Sequence, residues 1–247
     1  MPITVFTVSL LTISFSTSKL KEQVKKSQDG FALVELFTSE GCSSCPPADA
    51  ILEEIQKKYS DRNVVILGYH VDYWDKLGWK DIFSNAEFTE RQNYYADIFR
   101  LNSIYTPQVV VNGKKEFVGS NKSKLITSID EQLDEKQATS VKLKATQNTS
   151  GKIEVNCSTN ENNSKDDQLI LLLVQKMATN KINRGENEGR TLHHINIVRE
   201  ITYLKPTNKE TIFTLTPDLK KEDVFVAGFI QDKRSGNIKA IQTSTIN

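Results

Sequence analysis

The sequence contains no run of lysines or arginines long enough to track a nucleic-acid backbone. Its 32 Lys+Arg are matched by 31 Asp+Glu, leaving a formal net charge of +1, so nucleic acid is not among the expected partners. Histidine is scarce, with 3 in 247 residues. No second Cys or His pair stands at ligand spacing, which argues against a zinc centre. Internal repeats and long low-complexity tracts are lacking, and Asn160 to Asp167 is no more than a polar loop. Cysteine is rare and odd in number: of three, Cys42 and Cys45 are paired by spacing and Cys157 stands alone.

Charge is missing altogether from the first stretch, MPITVFTVSLLTISFSTS. Its apolar run from Ile3 to Phe15, followed by Ser16, Thr17 and Ser18, resembles a secretory signal peptide, although no positive residue precedes Ile3. The run is too short and too rich in Ser and Thr for a stable membrane span. An exported protein, periplasmic or secreted, is expected. Residues 1–18 are then the leader, and the lysine-rich residues 19–29 a linker.

What the chain does have begins at Phe31. Phe31–Phe37 is apolar on both alternating faces except at Glu35, as in a strand covered on both sides. Cys42-Ser43-Ser44-Cys45 and two prolines follow, then an amphipathic stretch from Ala48 to Tyr59 with Ile51, Leu52, Ile55 and Tyr59 on one stripe. Proline is tolerated only in the first helical turn, so the helix begins close to the cysteines, with Ser43 or Ser44 as its expected N-cap. Asn63–Tyr69 reads as a second buried strand and completes a β-α-β unit. After it come His70 and an aromatic, polar loop carrying Tyr73, Trp74 and Trp79.

Ser84–Phe99 has helical spacing with Ser84 as a cap, and Asn112-Gly113 between two β-rich runs predicts a hairpin with a type I′ turn. Pro107 opens that hairpin, and Asn121–Glu135 reads as a closing helix. From Thr139 the periodicity changes. Seven short alternating segments, from Val141–Thr146 to Ile238–Thr243, predict an antiparallel, sandwich-like β-domain over residues 139–247.

The order strand, Cys-x-x-Cys, helix, strand, helix, Thr-Pro hairpin, helix resembles the thioredoxin fold over residues 30–138. The segments VELFTSEGCSSCPPAD, GYHVDYWDKLGWKD, RQNYYA, TPQVVVNG and GENEGRTLHHINIVREI are similar to those of a family of exported bacterial thioredoxin-like proteins with an added C-terminal β-domain. The expected class is therefore an α/β thioredoxin-like fold followed by an all-β domain. The resemblance implies that Cys42 is an exposed nucleophile, Cys45 a more buried resolving thiol, and Thr106-Pro107 a cis bond beside the sulfurs that positions an extended substrate. A helix N-terminus favours the thiolate that such chemistry needs.

Glu35 matches the buried acid of thioredoxins, with one extra residue before the first cysteine. A carboxyl inside an apolar strand suits proton transfer from the resolving thiol. The resulting expectation is a thiol–disulfide oxidoreductase with no cofactor beyond the Cys42–Cys45 pair. Its partners are a protein or small-molecule disulfide or dithiol and an electron donor or acceptor.

Competing expectations accompany each residue. A structural disulfide is disfavoured because a tiny loop restricts the unfolded chain little. Cys42, Cys45 and His70 together form an alternative copper site of soft ligands, and a non-catalytic interaction protein is a third alternative. Tyr73, Trp74 and Trp79 are packing residues or, clustered with Asp72 and Asp75, line a substrate groove; Thr106 and His70 complete the expected substrate-binding set, with a structural loop histidine as the other reading of His70. His193 and His194 on one strand point to opposite faces, Cys157 is a buried inert thiol, and Glu188 and Arg190 lie in a solvated loop or bridge the two domains.

Overall fold

The computed structural model describes residues 30–160 and 164–247. The expected leader and linker therefore lie outside the described residues. Among the described residues no helix is long and apolar enough to cross a membrane.

The first half forms β1 (Ala32–Thr38), α1 (Pro46–Lys58), β2 (Val64–His70), α2 (Ala86–Phe99), β3 (Gln108–Val111), β4 (Lys115–Val118) and α3 (Lys122–Leu133). The second half forms β5 (Val141–Gln147), β6 (Lys152–Thr159), β7 (Asp167–Lys181), β8 (Thr191–Leu204), β9 (Glu210–Thr214), β10 (Val224–Asp232) and β11 (Ile238–Ser244). All seven strands expected after Thr139 are present. The helix N-terminus expected at Ser84 is instead capped by Asn85, whose side chain accepts from Glu87 N. The Ser84 hydroxyl is drawn away to Asp75 and to the Asp81 carbonyl.

Mixed α/β architecture follows from one large sheet with the order β11-β10-β7-β8-β2-β1-β3-β4. β1 and β2 are parallel, β3 runs antiparallel to β1, and β4 antiparallel to β3. The Asn112-Gly113 turn has φ of 50° and 64°, the two left-handed residues that a type I′ turn requires. The sheet does not end near Lys136–Thr139, where the periodicity changes. Four strands of the second half extend it, through a parallel junction at which Gly68 of β2 faces Ile197 of β8. Only β5, β6 and β9 form a separate three-stranded sheet.

Alternation along the strands decides what covers each face. On one face Val34, Leu36, Val109 and Val111 pack against Ala48, Leu52 and Ile55 of α1 and Leu125 and Ile129 of α3. On the other, Leu33, Phe37, Leu67 and Tyr69 meet Phe88 and Tyr95 of α2, together with Ile170, Leu172 and Val174 of β7 and Phe229 of β10. The alternate residues Leu169, Leu171 and Leu173 pack on Ala145, Ile153, Val155 and Phe213 of the small sheet. Burying such a side chain contributes about 1.5–3 kcal/mol, so the two halves are joined by a core and not only by a strand contact.

Candidate functional site

Strand β1 ends at Thr38 and the chain turns through Ser39-Glu40-Gly41 into the cysteines. Cys42 and Cys45 are disulfide-bonded, with their Cα atoms 5.5 Å apart. Cys45 itself is the N-cap of α1, with no side-chain cap, and Pro46 and Pro47 occupy the first turn. Ser43 and Ser44 are exposed and neither caps the helix. The Ser44 hydroxyl instead lies 3.3 Å from Cys42 Sγ. The proline pair explains the shift: it supplies no N–H for a serine cap to satisfy at those positions.

Cys42 is not exposed. Both cysteines are 0% accessible, and the loop from Ile182 to Arg190 that joins β7 to β8 is bonded to the segment that carries Cys42. Asn187 donates from Nδ2 to the carbonyls of Glu40 (2.8 Å) and Cys42 (2.9 Å), and Ser43 N donates to Glu186 Oε2 (3.0 Å). Arg190 donates to Asn187 Oδ1. From another side Trp74 packs on Gly41, where a Cβ would meet Trp74 Cβ at 3.2 Å. Trp74 Nε1 donates to Thr106 Oγ1 at 2.8 Å, so Thr106 and Trp74 are brought together. The Thr106–Pro107 bond is cis. Pro107 packs closely on Gly119, where a side chain would have no room: a Cβ there would touch Pro107, Leu36 and Ala48 at once. Tyr73 donates to Gln92, and burial pushes the pKa of its phenol up to about 12.

Beneath the loop is a cluster of buried ionisable groups. His70, the last residue of β2, lies with Nδ1 2.6 Å from Asp81 Oδ2, and the same oxygen accepts from Glu40 N at 2.8 Å. Burial pushes the Asp81 carboxyl up, but His70 and the backbone N–H groups of Glu40 and Phe83 outweigh it and hold it below its ordinary range. His194 stands edge-on to His70, 4.7 Å between centroids, and between Glu40 (3.4 Å) and Asp49 (3.6 Å). Those separations are long for hydrogen bonds, so the attraction is chiefly ionic. Burial pushes the His194 ring down, yet Asp49 and Glu40 lift it to about 10, which keeps it cationic at neutral pH. Glu40 also accepts from Trp79 Nε1 and Asn180 Nδ2.

Glu35 is elsewhere. It lies on the α2 face of β1, where Arg91 Nε donates to it at 2.7 Å and the Tyr95 hydroxyl at 2.5 Å. Leu36, one residue on, points at α1. The extra residue before Cys42 accounts for this, since a one-residue slip moves a strand side chain to the opposite face. Glu35 therefore does not meet Cys45, and the expected proton relay through it is corrected. A cavity of about 510 Å³ opens on this side, lined by Arg91, Tyr94, Tyr203 and Gln231 among others.

Among the described residues no group of three or more His, Cys, Asp or Glu is arranged to hold a metal, and His70 Nδ1 is bonded to Asp81 Oδ2. His193 is exposed and His194 buried, on opposite faces. Cys157 is a buried free thiol, its pKa raised by burial. The Ile182–Arg190 loop does reach the cysteines, through Glu186 and Asn187, while Glu188 is exposed. Glu40, Asp49, Asp81, Asn187 and His194 were not among the expected site residues. For Glu40 and Asp49 a signal exists, a carboxylate two residues before and four after the cysteine pair. For Asn187, 145 residues from Cys42, there is none.

The fold has solved counterparts. An X-ray structure of an Agrobacterium tumefaciens protein is 26% identical, covers 88% of this chain and 94% of its own, and superposes with a TM-score of 0.63. HBP35 of Porphyromonas gingivalis is 16% identical, covers 89% of this chain and 76% of its own, and superposes with a TM-score of 0.60. Comparison with curated proteins gives no match. Residues 33–231 match the family described as "Protein of unknown function (DUF1223)", and the chain belongs to that family.

Proposed function

We propose that the protein is an extracytoplasmic thiol–disulfide oxidoreductase built on a thioredoxin-like core with a sandwich-like β extension. The observation that carries this is the Cys42–Cys45 disulfide at the N-terminus of α1, with the Ser44 hydroxyl on Cys42 Sγ. Once the pair is reduced, a Cys42 thiolate gains the Ser44 donor and the positive end of the α1 dipole, both of which favour the anion. The β1-α1-β2 unit and the β3–β4 hairpin that follows Pro107 support the core assignment. Export is supported by the uncharged apolar stretch Ile3–Phe15 and by the compartments in which disulfides persist.

In the reducing direction the Cys42 thiolate attacks one sulfur of a substrate disulfide. The other substrate sulfur leaves as a thiolate, and a mixed disulfide forms. Cys45, deprotonated, then attacks Cys42 Sγ and expels the second substrate thiolate, so two electrons pass to the substrate and the pair ends oxidised. The oxidising direction reverses each step. Asp49 replaces Glu35 as the proton acceptor for Cys45: it lies one helical turn further along α1, on the same face, and its N–H is bonded to the Cys45 carbonyl. Trp74, packed on Gly41 and bonded to Thr106, supports a substrate role for the Thr106-Pro107 segment beside the cysteine loop, and His70 acts through Asp81, which fixes the backbone of Glu40.

The test is turnover by the full chain in an insulin-reduction assay and a glutathione-coupled assay. Activity in either one, abolished by Cys42→Ser, is the expected result. Equal rates for the wild type and Cys42→Ser in both assays would overturn the assignment.

A further inference from the structure

The cysteine pair of the proposed oxidoreductase is closed off by the chain's own β7–β8 loop, and that closure involves named polar contacts. Cys42 is 0% accessible and Asn187, at the loop's apex, is 1% accessible. The amide of Asn187 occupies the carbonyls of Glu40 and Cys42, and the carboxylate of Glu186 occupies the N–H of Ser43. These backbone groups belong to Cys42 itself and to residues one or two positions from it.

The loop has the build of a hinged element. Its base is pinned where Ile182 N donates to Arg190 O and Gly189 N donates to Ile182 O. Gly185, between the pins, and Gly189, at one of them, both have φ of 81°, and such left-handed glycines absorb backbone rotation with little steric cost. Gly185 rests on Trp79, with its Cβ position 3.1 Å from Trp79 Cβ. Trp79 and Asn180 are themselves held by Glu40. Apart from Ile182, Asn187 is the only buried residue of the nine; the rest are exposed or half-exposed. The loop is therefore held shut mainly by polar contacts, each of which water or a partner can replace.

We propose that the Ile182–Arg190 loop is a lid over the Cys42–Cys45 disulfide, latched by Asn187 and Glu186, and that it must swing away before any thiol or disulfide reaches Cys42. Access then depends on a partner that displaces the lid and returns a donor to the Glu40 and Cys42 carbonyls and an acceptor to Ser43 N. Asn187 and Glu186 thus determine which partners are admitted. This rests on the redox assignment for its biological meaning but not for its geometry.

The experiment measures the rate at which a water-soluble phosphine reduces the pair in the oxidised full chain, with emerging thiols trapped by maleimide and counted by mass. The phosphine is oxidised to its oxide with oxygen from water, and the disulfide takes up two electrons and two protons. A chemical reductant reads access alone, so the result is the same whether or not the pair turns over a biological disulfide. The oxidised peptide Cys-Ser-Ser-Cys serves as the open reference. The lid predicts that the wild type reacts at least about tenfold more slowly than the peptide. Asn187→Ala, Glu186→Ala and Arg190→Ala should each recover much of that difference, since each removes a polar contact worth roughly a factor of ten. Glu186 and Arg190 are exposed, so those two variants decide the matter even if Asn187→Ala does not fold. A wild-type rate equal to that of the peptide would overturn the lid. So would a slow wild type whose folded variants all stay equally slow.

Discussion

At the scale of single residues, two buried carboxylates close to the cysteine pair in sequence have different work. Glu35 is held by Arg91 and Tyr95 inside the core, whereas Glu40 stands in the cysteine loop beside His194. Removing one partner of a buried pair leaves the other charge stranded. Glu35→Gln is therefore expected to cost roughly 3–5 kcal/mol of stability while leaving the rate of thiol exchange at Cys42 within about twofold of the wild type. Chemical unfolding and alkylation kinetics check the two halves of that statement, and a large fall in exchange rate would return Glu35 to the site.

His194 gives a pH signature. Its ring is lifted from 6.5 to about 10 by Asp49 and Glu40 against the opposing effect of burial. Below about pH 6.5 the ring is protonated in folded and unfolded chains alike, so the stabilisation from this cluster is complete. As the pH climbs towards 10 the unfolded chain sheds the proton first, and the stabilisation is lost. The expected loss is on the order of a few kcal/mol across that window, read from unfolding midpoints, and His194→Gln should flatten that part of the profile. The presence of a carboxyl in an apolar strand was legible in the sequence at Glu35. Which face it points to was not, because one additional residue before Cys42 reverses the parity.

Among the elements, the β3–β4 hairpin joins the two halves of the molecule. Its tip does not project into solvent: Asn112 O accepts from Ile238 N, and a Cβ on Gly113 would lie 1.8 Å from Gly236 O. The obstacle is backbone, and the turn needs a positive φ there, so Gly113→Ala is expected to destabilise by about 1–3 kcal/mol or more, measured by thermal unfolding. The Asn-Gly signal predicts the turn itself. It says nothing of the β10–β11 turn that fills the space above it, because that contact spans over a hundred residues of sequence. Helix α1 was similarly legible in its apolar stripe but not in its cap, where Pro46 and Pro47 leave Cys45 at the boundary.

At the scale of the whole molecule, the change of periodicity at Thr139 marks where helices cease, and each later strand can be read from its alternation. What alternation cannot convey is partnership. β7 and β10 present apolar residues on both faces, such as Leu169 to Val174, because one face meets the small sheet and the other continues the core over α2. A fragment of residues 30–138 would expose the edge of β2 and the apolar face around Leu67 and Tyr69. It is expected to show weak, non-cooperative unfolding by circular dichroism, where an independent domain would give a sharp transition.

The loop that reaches Cys42 comes from this extension, so the second half of the chain is part of the site and not an appendage to it. The central claim, that Cys42–Cys45 is a working redox couple, is tested most directly by equilibrating the full chain in dithiothreitol or glutathione buffers and counting alkylated cysteines by mass. A two-electron transition between about −120 and −270 mV, with Cys157 alkylated independently, is the predicted result. A potential below about −300 mV, the range of structural disulfides, would contradict it.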